Sequence, residues 1–227
     1  MGEDRWEKLA AATGIVFVVL VIVGSFIAGQ PPKAGDPINK ITAFAVDKRF
    51  ALLLGDYLSA VGVVFALWFF GSLRSYLRRA EGGTGRLSAV AFGGGLLAGG
   101  IALAANAVGN TLVVRVTNSS DPAVVRALFD FLGALMGIIW FPIAAVAEAT
   151  GIVAVRTGSF PRWFGWASIG LALPLLIAGI GSSTSAGPLA QGGIVQTIAL
   201  ILFALWILAA SILLIQRVGA SPREAMG

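Results

Sequence analysis

Residues 9–29 read LAAATGIVFVVLVIVGSFIAG, a run with no charged side chain. A helix needs about 20 apolar residues to cross the roughly 30 Å of hydrocarbon in a bilayer. Five further stretches are similarly apolar, at 50–73, 87–110, 131–155, 163–182 and 193–216, the first and third of these each carrying one acid, Asp56 and Glu148. Each is expected to be helical, because a backbone in lipid must satisfy its hydrogen bonds within the segment. Barrel strands would alternate apolar and polar residues, and these runs do not. The expected fold class is therefore all-α: a polytopic transmembrane bundle of six spans, forming a single domain over residues 1–227.

Composition agrees. The 227 residues are 57% hydrophobic and only 12% charged, with a mean hydropathy of +0.90. A soluble domain carries about 25% charged residues. The formal charge is +5, but the basic side chains flank the spans, where they set orientation and meet anionic headgroups. Membrane lipids are thus the expected partners, and nucleic acid is not. The chain has no cysteine and no histidine. That excludes disulfides, thiol catalysis, iron–sulfur clusters and His-ligated haem or zinc. Its lysines (Lys8, Lys33, Lys40, Lys48) all lie outside the spans, so no buried amine is placed to form a Schiff base. No cofactor and no metal are expected.

Residues 9–29 exceed the apolar core of a signal peptide, about 7–15 residues, and Phe26 stands where a small residue would precede cleavage after Ala28. A retained first span is expected. Trp6 stands where a myristoylation signal has Ser or Thr.

Orientation follows from Lys and Arg. One side holds Arg5, Lys8, Arg74, Arg78, Arg79, Arg86, Arg156, Arg162, Arg217 and Arg223; the other holds Lys33, Lys40, Lys48, Arg49, Arg115 and Arg126. Ten against six favours both termini in the cytoplasm, which is the expected orientation. Asp36-Pro37 and Asp121-Pro122 each set a capping carboxylate before a proline at the first helical position. Amphipathic turns follow, so spans two and four are expected to begin at the outer interface. Three hairpins result, pairing spans 1–2, 3–4 and 5–6. Asn118-Ser119-Ser120 matches a glycosylation acceptor.

Ionisable side chains inside lipid are costly and mark sites. Asp56 and Glu148 qualify, with Asp130 at the outer start of span four. Asp130 and Glu148 stand five helical turns apart, so an unbroken helix would project both from one face, about 27 Å apart. Gly133 and Gly137 lie near that stripe and would admit a close neighbour. Pro142 withholds a donor from the Ile138 carbonyl and, with Pro174, is expected to break a helix. Asp56, Tyr57, Asn106, Asn110, Arg126 and Asp130 are the groups expected to converge on a polar pocket near the outer surface. Each also has a plainer reading: Asp130 facing headgroups, Glu148 packing against a neighbouring helix, and the asparagines bonding between helices at about 1 kcal/mol per contact. In span three, Ala91, Gly95 and Gly99 repeat every four residues, a small-residue face for a neighbouring helix, a second copy or a protein partner.

Residues 156–166, Arg-Thr-Gly-Ser-Phe-Pro-Arg-Trp-Phe-Gly-Trp, form a turn with an aromatic–basic anchor. Span six, whose polar residues before its terminal Gln216 are only Gln196, Thr197 and Ser211, reads as a lipid-facing or packing helix.

The stretches 41–55, 67–74, 78–83, 121–130 and 156–166 together resemble bacterial six-span integral membrane proteins that carry a domain of unknown function. The resemblance covers nearly the whole chain, and the Pro161–Trp166 turn is its most recognisable part. It implies a six-helix fold and a bacterial plasma membrane, and it supplies no catalytic residues. No nucleophile–base pair is legible either, so an enzyme is not expected. The function expected is a small-molecule, lipid or proton-coupled carrier or binding protein using Asp56 and Glu148. An accessory subunit of a larger complex and an intramembrane lipid-acting enzyme are the alternatives.

Overall fold

The structure, a computed structural model, describes residues 3–116, 121–184, 187–191 and 193–218. Among these described residues eight α-helices run α1 Glu3–Ala28, α2 Ile38–Asp47, α3 Arg49–Glu81, α4 Arg86–Val116, α5 Pro122–Ile138, α6 Trp140–Thr157, α7 Arg162–Gly179 and α8 Ile194–Val218. A single 3-10 turn at Ile180–Ser183 follows α7. Six units are long and apolar enough to cross a membrane: α1, α3, α4, the α5–α6 pair, α7 with its 3-10 turn, and α8. The outward faces are apolar, with Ile22, Phe26, Leu97, Leu173 and Leu205 exposed. A soluble protein rarely shows so much contiguous apolar surface; a multi-pass membrane protein turns it to lipid.

The spanning helices form a closed ring in the order α1, α3, α4, α6, α7, α8 and back to α1. One apolar cluster draws on all of them, through Val18, Phe69, Ala98, Val146, Leu175 and Ile207. The expected third hairpin differs from this arrangement. α8 packs more extensively on α1 than on α7, so it closes the ring rather than pairing with its chain neighbour.

Both described ends of the chain meet on one face of the bundle, called here the terminal face. Arg79 near the end of α3 pairs with Glu7 of α1 at 2.6 Å, Tyr76 donates to the Ser159 carbonyl, and Arg217 of α8 donates to the Gly158 carbonyl. Two turns seal this face. Glu81 accepts from the Leu87 and Ser88 amides, both at 2.9 Å, which satisfies orphan donors at the start of α4. Gly158 ends α6 in the left-handed region at φ 68°, a conformation glycine adopts without a Cβ clash.

The opposite, distal face carries a small satellite core of Ile41, Ala45, Leu112, Val125 and Phe129, which joins α2, α4 and α5. As the amphipathic pattern implied, α2 is a separate helix that breaks from α3 at Lys48. Asp121 caps α5 by accepting from Ala123 N at 2.9 Å, with Pro122 behind it. Asp36 does not cap α2. Pro37 occupies the capping position in an extended conformation, and the Asp36 carboxylate instead accepts from Lys33 N at 2.7 Å and pairs with Lys40 at 2.8 Å. The Asn118-Ser119-Ser120 sequon lies outside the described residues.

Helix breaks fall differently from expectation. The α5–α6 break sits at Ile139, and Pro142 stands in the first turn of α6, where a missing N–H is tolerated. Pro174 lies inside an uninterrupted α7, so it does not divide that span.

Candidate functional site

The distal half of α3 carries Asp56. Immediately before it, Gly55 crosses Gly24 of α1 at backbone contact, and this fixes how α3 sits on its neighbours. On the α4 side, Asn106 Nδ2 donates to the Asp56 carbonyl at 3.2 Å. The Asp56 carboxylate lies beside Gly109, where a Cβ would stand 3.3 Å from Oδ2. Asn110, the next residue, holds a buried Oδ1 with no hydrogen-bond partner among the described residues. Asp56, Asn106 and Asn110 therefore cluster at the α3–α4 contact.

The other groups expected in this pocket go elsewhere. Tyr57 is exposed on the outward side of α3. Arg126 donates to the Ala34 carbonyl at 3.1 Å and the Asp36 carbonyl at 2.8 Å, tying α5 to the loop before α2. Its contact with Asp130, at 3.9 Å, is at the solvent-exposed rim. Among the described residues no three acids gather to hold a metal ion.

Glu148 corrects the expectation that both deep acids face the bundle. It is exposed, although most of α6 around it is buried. The cause lies in the helix register. Ala147, Ala149, Thr150 and Gly151 turn inward, and Gly151 meets the backbone of Gly165 on α7, which leaves position 148 on the outer stripe. The break at Ile139 also removes the unbroken helix that was to align Asp130 with Glu148.

The small-residue faces are occupied within the chain. A Cβ on Gly95 would fall 2.6 Å from the Phe70 ring, and one on Gly99 3.2 Å from Val63. Gly95 and Gly99 thus serve the α3–α4 contact. Gly133 lies against Gln191, and Gly137 against the backbone of Ser182, so these two seat the segment after α7.

Two features were not found from the sequence. The first is Gln196 of α8, which accepts from Trp140 Nε1 of α6 and donates to the Ala178 carbonyl of α7 at 2.9 Å. It joins three helices, where a lipid-facing or packing helix was expected. The second is a groove of about 750 Å³ at the terminal face, open along one side. Such a volume is within the range of about 300–1,000 Å³ seen for ligand sites.

The groove lies mainly between α1 and α3. Its apolar wall comes from Ala10, Ala11, Leu67, Trp68 and Leu214, and its polar end from Trp6, Glu7, Arg74, Ser75 and Arg79. Gly71 contributes no side chain and has open space around it. Arg74 is held over the Phe92 ring at 5.1 Å, and among the described residues it has no anionic partner. Arg79 is neutralised by Glu7. The end of the groove therefore offers one uncompensated guanidinium beside an indole, above an apolar channel. That combination suits an amphiphile with an anionic head.

No family model matches the chain, and no curated protein or solved structure shows a similarity that would carry an inference.

Proposed function

We propose that this chain is a non-enzymatic binding protein or carrier for an anionic amphiphile of the lipid class, taken up in the groove between α1 and α3. The observation that carries this reading is Arg74, exposed and without an anionic partner among the described residues, set over Phe92 at the mouth of an apolar groove. The acyl portion would lie along Leu67, Trp68 and Ala10. The head would meet Arg74, whose guanidinium matches a phosphate or carboxylate better than an ammonium does.

The reading includes a location: the plasma membrane of a bacterium, with the terminal face in the cytoplasm. Supporting it are the excess of Lys and Arg on that face and the resemblance to bacterial six-span proteins. The groove would then open at the headgroup level of the inner leaflet, where Trp163 and Trp166 are also exposed. Asp56 and Glu148 do not face one another, which leaves no paired-acid chemistry of the kind an intramembrane hydrolase uses.

Native mass spectrometry of the purified full chain tests the proposal. Phosphatidylglycerol is expected to remain bound in preference to phosphatidylcholine, and Arg74→Gln to reduce the bound fraction by about tenfold, as expected for about 1.4 kcal/mol. Glycerol phosphate at the same concentration should not bind, because it lacks the chain. Equal retention of both lipids by wild type and variant would refute the reading.

A further inference from the structure

Arg74 and Glu148 carry opposite charges at one level of the bundle, on either side of α4. Contacts of α4 fix that level. A Cβ on Gly94 would meet the Pro142 carbonyl of α6 at 2.7 Å and the Val146 side chain at 2.8 Å. Glu148 lies two residues beyond Val146 towards the terminal face, about 3 Å along the axis. Phe92 lies two residues from Gly94 in the same direction, because α4 begins at the terminal face and α6 ends there. The Arg74 guanidinium of α3 stands over the Phe92 ring at 5.1 Å. Both charged residues are exposed, and among the described residues neither joins an ion pair with the other or with any third group, apart from that ring contact of Arg74. The helix order α3, α4, α6 keeps them apart within one chain.

The surface between them is bare. Gly93, Leu97, Gly100 and Ala104 are exposed on α4, at the spacing of one helical face. Gly93 and Gly100 have open space around them, unlike Gly95 and Gly99 on the inner side. A backbone can approach closely where side chains are this small.

Two copies inserted in one orientation are related by an axis along the membrane normal. Such an axis keeps each residue at its depth and sets the left flank of one copy against the right flank of the other. With the outer faces of α4 opposed, a base on one flank meets an acid on the other, twice. We infer that this chain forms a two-fold dimer through the outer face of α4, in which Arg74 of each copy pairs with the partner's Glu148 and the exposed glycines admit the close approach. Complementary charge of this kind fixes the register of an interface and rejects wrong pairings. Arg74 is also the group that meets the anionic head in the proposed function, so dimer formation and lipid capture exclude one another at that side chain. The dimer does not rest on the lipid reading, since its two charge pairs come from the chain itself.

The test counts copies by single-molecule photobleaching. The full chain, carrying Thr84→Cys on the exposed turn before α4 as its one dye site, is reconstituted at low density in vesicles of phosphatidylcholine. That lipid supplies no anionic head, so the result is separate from the outcome for lipid capture. The chain with Arg74 and Glu148 intact should bleach mainly in two steps. Arg74→Glu alone sets acid against acid, and Glu148→Arg alone sets base against base; each should lower the dimer fraction at least fivefold. Reconstituting the two variants together restores both pairs, and two-colour labelling should show mixed dimers near the original fraction. Recovery on mixing separates loss of pairing from loss of fold. A chain that stays monomeric with both groups intact, dimers that survive either single reversal, or no mixed dimers from the two variants would each overturn the inference.

Discussion

Gly24 of α1 and Gly55 of α3 cross so closely that each carbonyl oxygen occupies the place where the other's side chain would begin. A Cβ on Gly24 would lie 2.9 Å from the Gly55 oxygen, and one on Gly55 2.8 Å from the Gly24 oxygen. Neither obstacle is the mobile end of a side chain, so the helices themselves would have to part. Gly55→Ala is expected to destabilise the bundle by about 1–3 kcal/mol, the usual cost of overpacking. Gly62→Ala, where the nearest atom to a new Cβ is 3.4 Å away, should be near neutral. Thermal unfolding in detergent distinguishes them; equal melting temperatures would mean that the crossing is looser than described.

Gln196 offers a second prediction. Gln196→Leu keeps the volume but leaves the Trp140 Nε1–H and the Ala178 carbonyl without this partner. Stranding buried polar groups costs about 1–3 kcal/mol. Thr197→Leu, one residue on and exposed, should cost little. Resistance to unfolding by SDS titration checks the contrast, and equal resistance of the two variants would remove Gln196 from the joint between α6, α7 and α8.

The distal loop should respond to acid. The hydrogen bond from Lys40 holds the Asp36 carboxyl below its ordinary value of 3.8, with the Lys33 amide adding to the effect. A depressed carboxyl contributes stability above its unfolded pKa, and that contribution is lost as pH falls through the lower folded value. The loop joining α1 to α2 should therefore stay protected at neutral pH and loosen only below about pH 4. Asp36→Asn should loosen it at every pH. Hydrogen exchange across residues 30–37, followed against pH, reads this directly.

Much of the scaffold is legible in the amino-acid sequence, because spanning a bilayer imposes a length and a composition on each helix. Each of the six runs falls on one spanning unit: 50–73 and 87–110 lie inside α3 and α4, 9–29 and 193–216 overrun α1 and α8 by one residue each, 131–155 crosses the break at Ile139, and 163–182 runs into the 3-10 turn; the Asp121-Pro122 start of α5 has the expected cap. The errors share a cause: a stripe on a helix shows periodicity but not which neighbour covers it. Gly95 and Gly99 mark a close contact, yet nothing in their spacing says that Phe70 and Val63 fill it. Asp130 and Glu148 align only if no break intervenes, and the helix breaks at Ile139. The groove was illegible because it depends on how α1 and α3 splay. Arg74 carried one signal in the sequence, a base at the end of a span, and that reads equally well as an orientation marker.

The chain has no cysteine, so Ser72→Cys, in the groove wall, would introduce the only thiol in the molecule. The rate at which that thiol reacts with maleimide, in liposomes of phosphatidylcholine with or without phosphatidylglycerol, tests the central claim most directly. An anionic lipid seated against Arg74 should slow labelling by about fivefold or more, in line with an occupancy difference of about 1 kcal/mol. Arg74→Gln should abolish that protection. Labelling at one rate in both liposomes, or protection that survives Arg74→Gln, would contradict the account.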